Sequence, residues 1–129
     1  MLFTGLLRGG ERLEALADAD VVVYPSRDEV FGLVAVEALL AGTPVIVADD
    51  SGCGEVVAAT GGGRVVAQGD APALAAAVRD VLAAPQRSQV AEADRRIRAW
   101  LASDAIAARV ETVYEALVAS GVDAAVVAG

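Results

Sequence analysis

Three short runs of apolar, mostly β-branched residues, each followed by a stretch with helical spacing, constrain the fold of this chain more than any other feature. Val21-Val22-Val23-Tyr24 is stopped by Pro25-Ser26, Pro44-Val45-Ile46-Val47-Ala48 precedes Asp49-Asp50, and Arg64-Val65-Val66-Ala67 follows the turn-forming Gly61-Gly62-Gly63. A continuous apolar run, unlike an alternating one, marks a strand buried on both faces, and proline closes it because it cannot donate to the ladder. Glu11 to Ala17, Phe31 to Ala41 and the short Glu55 to Ala59 are spaced as helices, and Gly42 ends the second. Parallel strands need crossovers of about ten residues or more. The alternation therefore predicts an α/β fold, a Rossmann-like parallel sheet with helices on both faces.

After Gly69 the chain turns Ala-rich and helical, with no further strand. Asp70 is placed to cap a helix over Ala71 to Ala84, with Pro72 in its first turn and Pro85 as its stop. Ser88 to Ser120 continues in helical spacing. Ser103 is expected to cap the last helix, where Ile106, Val110, Val113, Tyr114 and Leu117 form one apolar stripe that needs a packing partner. The predicted organisation is an incomplete α/β portion over residues 1–84, closing helices over 85–120 that pack on it or on a missing N-terminal domain, and a flexible tail over 121–129. Phe3-Thr4-Gly5 reads as the end of a strand with too short a lead-in, so sequence upstream of it is expected.

At 129 residues the chain holds one real core but not two full α/β domains. Its ten basic residues, all Arg, face eighteen acidic ones for a net charge of −8, which argues against nucleic acid as a partner. There is no His and a single Cys, Cys53, so neither a zinc cluster nor a disulfide framework can be built. No metal is expected; Asp49-Asp50 reads as loop or cap residues. No apolar run approaches the roughly 20 residues of a membrane-spanning helix, so no integral membrane segment is expected. The N-terminus lacks the pattern of a secretory signal, and a cytoplasmic location fits.

The chemistry concentrates between Asp28 and Val45. In an open parallel sheet, ligands sit outside the carboxyl ends of the strands, where Glu29 falls. The backbone N–H groups of Phe31, Gly32 and Leu33, at the start of the following helix, offer an anion site without a basic side chain, and Gly32 has no side chain to obstruct it. Glu37, about six residues into that helix, is placed roughly 8–9 Å along its axis. A carboxylate there suits a vicinal diol such as ribose, while Glu29 meets sugar hydroxyls. The two carboxylates would thus span a nucleotide diphosphate sugar. As the bland alternatives, Glu29 is a first-turn helix carboxylate, whereas Glu37 needs a partner because its helix is apolar nearly all round. Ser51, Gly52, Gly54 and Glu55 form a second short loop, serving either the same crevice or simple turn and cap duty. Arg27 is the only cation the sequence places nearby.

Glu29-x₇-Glu37, the surrounding Pro25-Ser26, Phe31-Gly32, Glu37-Ala38, Gly42 and Pro44-Val45-Ile46, and the later Ser51-Gly52-Cys53-Gly54-Glu55 resemble family 4 of the retaining GT-B glycosyltransferases (glycosyl transferases group 1). The similarity runs from about Phe3 through Leu82, with Ala99-Trp100-Leu101 and Val113-Tyr114 similar to the family's closing helices. The resemblance implies the donor-binding, C-terminal domain of such an enzyme, truncated at its N-terminus. It makes Glu29 the catalytic-site carboxylate that contacts the donor sugar. The amides of Phe31, Gly32 and Leu33 would contact sugar and phosphate oxygens, Glu37 the ribose, and Ser51 and Gly52 the phosphates or base. A nucleotide diphosphate sugar is then the substrate, with no further cofactor.

The departures from the family are equally informative. Ser51-Gly52 stands where it usually has Gly-Gly, and Gly54 where it has Pro. The Arg and Lys that neutralise the leaving diphosphate, and the acceptor-binding N-terminal domain, are not in this sequence. An isolated chain should therefore be a poor catalyst and need a partner chain carrying the other half, or pair with itself through the exposed stripe. The competing readings are a non-catalytic fragment or split-enzyme subunit that binds a nucleotide sugar weakly, and a GT-B-like nucleotide-sugar epimerase. The last is disfavoured because it relies on His.

Overall fold

A computed structural model describes residues 1–84 and 86–120. The Pro85 stop and the tail over 121–129 lie outside the described residues. In chain order the elements are α1 (Gly9–Ala17), β1 (Val22–Tyr24), α2 (Leu33–Leu40), β2 (Val45–Ala48), α3 (Gly52–Thr60), β3 (Gly63–Val66), α4 (Ala71–Ala83), α5 (Arg87–Leu101) and α6 (Ser103–Ala119). The chain forms two compact units, which divide between Ile97 and Arg98 within α5.

In the first unit the three strands form a parallel sheet in the order β1-β2-β3, with Val22 beside Val45, Tyr24 beside Val47, Ile46 beside Arg64 and Ala48 beside Val66. The central strand β2 is buried along its whole length, as its continuous apolar run requires. Its side chains alternate between two cores. Val45 and Val47 pack with Ala35, Val36, Ala38 and Leu39 of α2, Val56 and Val57 of α3, and Val90, Ala93 and Ile97 of α5. Ile46 faces the other way, onto Ala77 and Val81 of α4. Burying a Val, Leu or Ile side chain is worth about 1.5–3 kcal/mol, so this alternation, with helices on both faces, is what holds the sheet.

Helix ends follow local chemistry. Asp70 caps α4 by accepting from the Ala73 amide at 2.8 Å, with Pro72 in the first turn. α2 ends in a Schellman motif, in which Thr43 N–H donates to the Ala38 carbonyl and Gly42 N–H to that of Leu39, with Gly42 at φ +91°. The Thr43 hydroxyl, buried at that corner, donates to the Leu16 carbonyl at 2.6 Å and ties α1 to the α2–β2 turn. No helix among the described residues is long and apolar enough to cross a membrane.

Four expectations need correction. Phe3 to Gly5 form no strand, because a strand exists only through its pairing and no neighbour is aligned with this segment among the described residues. α2 begins at Leu33 and not at Phe31, since Gly32 takes a left-handed conformation (φ +73°, ψ 58°) that closes the preceding loop. Glu37 is therefore only about 6 Å along the axis from the first helical residue, at 1.5 Å per residue. α3 begins at Gly52, three residues before the expected Glu55, because Ser51 caps it: Gly52 and Gly54 are helical, not loop. Ser103 does not cap α6. Ala102, with ψ 135°, occupies the cap position without a side-chain bond, and Ser103 is already helical.

In the second unit, α6 carries the Ile106, Val110, Val113, Tyr114 and Leu117 stripe and buries none of its residues. Arg109 donates to the Trp100 carbonyl at 2.9 Å and stacks over the Trp100 ring at 5.4 Å from its centroid.

Candidate functional site

The site lies where the three strands end. After β1 the chain runs through a loop, residues 25–32, that leads into α2. Asp28 (φ +53°) and Gly32 (φ +73°) both take positive φ and bracket Glu29-Val30-Phe31. Asp is one of the few residues with a Cβ that visits this conformation. Gly32 is compelled twice. A Cβ there would meet Cys53 Sγ at 2.7 Å and the Tyr24 ring at 3.2 Å, so Gly32 is buried against α3 and β1. The absence of a side chain at Gly32 thus has a packing reason within the fold itself.

The Glu29 carboxylate is held at both oxygens. The Tyr24 hydroxyl donates to Oε2 at 2.7 Å, and the Phe31 amide donates to Oε1 at 3.5 Å. The Tyr24 bond, and then the Phe31 amide, hold the Glu29 carboxyl below its ordinary value; the Gly32 and Val30 amides act in the same sense. The same bond and partial burial push the Tyr24 phenol up. Two of the amides assigned to a donor by resemblance, those of Phe31 and Gly32, therefore already face a carboxylate, that of Glu29.

Glu37 projects from α2 and forms an ion pair with Arg12 of α1, the two side chains being 26% and 42% exposed. The partner that Glu37 needed is thus supplied within the chain, by a residue 25 positions earlier. Arg12 is thus a cation at this carboxylate that the sequence did not point to. A half-exposed Arg on a short helix carries no sequence signal that would reveal the pairing; only the packing of α1 on α2 does.

The second loop braces the first. Ser51 is buried and both roles of its hydroxyl are used: it accepts from the Gly54 amide at 3.2 Å and donates to the Ala48 carbonyl at 2.8 Å. A Cβ on Gly52 would lie 2.3 Å from the Val30 carbonyl oxygen, and the Gly52 amide donates to the Glu29 carbonyl at 3.4 Å. Ser51 and Gly52 thus fix the backbone on which Glu29 rides. Gln68, to which no sequence pattern drew attention, links the ends of all three strands. Its side-chain amide donates to the Ser26 carbonyl at 3.0 Å and its backbone amide to Asp49 Oδ1 at 2.9 Å. Asp49 has a loop-tying role there.

A cavity of about 170 Å³ opens beside these loops, lined by Pro25, Gln68, Asp70 and Leu74 among others. One of about 520 Å³ lies between the α4–α5 junction and Asp20 and Pro44, which precede β1 and β2. Although larger, it is at the amino ends of the strands, the end at which open α/β sheets do not place ligands.

Residues 2–98 match the family described as glycosyl transferases group 1. A glycogen synthase of Mycobacterium tuberculosis is 46% identical over 75% of this chain and 22% of its own length. A GDP-mannose-dependent phosphatidylinositol dimannoside mannosyltransferase of the same species is 34% identical over 86% of this chain and 29% of its own. The structure superposes on a sucrose-phosphate synthase of Thermosynechococcus elongatus with a TM-score of 0.66 at 37% identity, over 82% of this chain and 27% of that one. The chain thus spans between a fifth and a third of the length of these relatives. A parallel α/β sheet with a carboxylate-bearing loop at its carboxyl ends, matched to these proteins over three-quarters of its residues, belongs to the glycosyl transferases group 1 family.

Proposed function

We propose that this chain is the donor-binding wall of a family 4 retaining glycosyltransferase, an N-terminally incomplete part of a GT-B enzyme that moves a hexosyl unit from a nucleotide diphosphate sugar to an acceptor hydroxyl. The observation that carries this reading is the Glu29 carboxylate, fixed on a braced loop at the carboxyl end of β1, next to the N-terminus of α2. Glu29 accepts from the sugar hydroxyls, the Leu33 amide faces the sugar and phosphate oxygens while those of Phe31 and Gly32 hold Glu29, and Glu37 accepts from the ribose. Ser51 and Gly52 support the loop on the phosphate side. In the transfer itself the bond from the anomeric carbon to the diphosphate breaks as the acceptor oxygen bonds on the same face. The acceptor proton passes to the departing phosphate oxygen. The positive end of the α2 helix stabilises the charge that develops there.

The chain carries only one wall of that cleft, since its relatives are about three times as long. An N-terminal-domain partner chain, or a second copy through the α6 stripe, supplies what is missing, and the product works in the cytoplasm without a metal. The partial span also favours a second reading, a non-catalytic subunit that binds a nucleotide sugar weakly.

Titration of the full chain with UDP-, ADP- and GDP-hexoses tests the donor reading, with Glu37→Ala and Arg12→Ala beside the native protein. Loss of affinity in Glu37→Ala but not in Arg12→Ala supports the ribose contact. Equal affinity in all three, or none in any, refutes it. Adding the N-terminal half of a relative and an acceptor then separates the catalytic reading from the binding one.

A further inference from the structure

Tyr24 is the last residue of β1, and the sequence offers no reason to regard it as more than the end of an apolar run. In the fold its half-buried ring packs on the core formed by α2, α3 and α5, and lies against Gly32. Its hydroxyl emerges at the site, 2.7 Å from Glu29 Oε2, a separation typical of a hydroxyl donating to a charged carboxylate. The opposite oxygen is directed at the Phe31 amide. The carboxylate is thus gripped at both ends of its plane by one rigid aromatic side chain and one backbone group.

We propose that Tyr24 is a positioning residue for the donor sugar, whose hydroxyl orients Glu29 so that its remaining acceptor sites receive two sugar hydroxyls. A carboxylate has about four acceptor positions. The Tyr24 hydroxyl takes one on Oε2 and the Phe31 amide one on Oε1, and the positions left over suit a vicinal pair of hydroxyls on a hexose. Glu is a side chain rich in rotamers, and ordering it before the ligand arrives removes an entropic penalty from binding. Tyr24 achieves this with only two side-chain torsions, held in turn by the core. The role rests on the reading of Glu29 as the sugar contact, and concerns the sugar end of the donor only.

Tyr24→Phe removes the hydroxyl and keeps the packing. Calorimetric titration of the full chain with a nucleoside diphosphate hexose and with the matching nucleoside diphosphate should show roughly tenfold weaker binding of the hexose form in the variant, the scale of one charged hydrogen bond, and unchanged binding of the diphosphate. Carbon-13 NMR of the side-chain carboxyls should show the Glu29 titration midpoint rising in Tyr24→Phe toward the ordinary Glu value. Equal weakening of both ligands would mark Tyr24 as merely structural and overturn the role. So would a variant that keeps the native preference for the hexose form, or an unmoved Glu29 midpoint. A native chain with no preference for the hexose form overturns the sugar contact of Glu29, and this role with it; the other three results leave the contact standing.

Discussion

Gly32→Ala is expected to destabilise the chain by roughly 2–5 kcal/mol, from two separable sources. The first is backbone conformation, because a residue with a Cβ held at the left-handed φ of +73° loses about 1–2 kcal/mol. The second is contact. The new methyl would lie 2.7 Å from Cys53 Sγ, 3.0 Å from Cys53 Cβ and 3.2 Å from Tyr24 Cε1. Cys53 is fully buried on α3 and the Tyr24 ring is packed on the core, so neither gives way readily, and overpacking of this kind is worth about 1–3 kcal/mol. Gly42 isolates the first source, for it has φ +91° but no heavy atom within 4 Å of where a Cβ would stand. Gly42→Ala should therefore lose about 1–2 kcal/mol only. Urea denaturation followed by far-UV circular dichroism, at equal slopes, should show the Gly32→Ala midpoint falling about twice as far as that of Gly42→Ala. Equal losses would refute the reasoning, by showing that α3 yields to the loop and does not brace it.

Three further outcomes are expected. Ser51→Ala should lose about 1–2 kcal/mol in the same assay, since it removes the cap of α3 and unpairs the Ala48 carbonyl. Thr43→Val should lose about 1 kcal/mol and speed amide exchange in α1, which the 2.6 Å bond to Leu16 anchors. The Glu29 carboxyl is depressed, so its contribution to stability is present above the ordinary carboxylate value and is lost as pH falls through the lower folded value; the Tyr24 phenol is raised, so its contribution is present below its ordinary value of 10.0 and is lost as pH rises through the higher folded value. Denaturation midpoints measured across pH should lose the alkaline feature and show a smaller acid one in Tyr24→Phe, since the backbone amides still hold Glu29.

By itself the sequence determined the architecture and singled out the loop that carries Glu29 as the candidate site. Val45-Ile46-Val47 read correctly as a strand buried on both faces, whereas the other two apolar runs, in β1 and β3, lie at the sheet edges and stay partly exposed, which only the strand order decided. The cap at Asp70 and the stop at Gly42 were legible because each rests on chemistry within four residues. Glu29 and Glu37 stood out by spacing, since both elements that carry them are local. What only the tertiary structure decided is who those carboxylates meet. Tyr24 is five residues from Glu29 and Arg12 is 25 from Glu37, and neither distance follows from any helical or strand period. The start of α3 at Gly52 was equally hidden, because glycine reads as loop until it is seen that Val30 and Ala48 press against positions where a Cβ would not fit. Periodicity reports which face of an element is buried. The partner across that face is chosen by packing between segments distant in the chain, and in this protein that choice orients both carboxylates of the site.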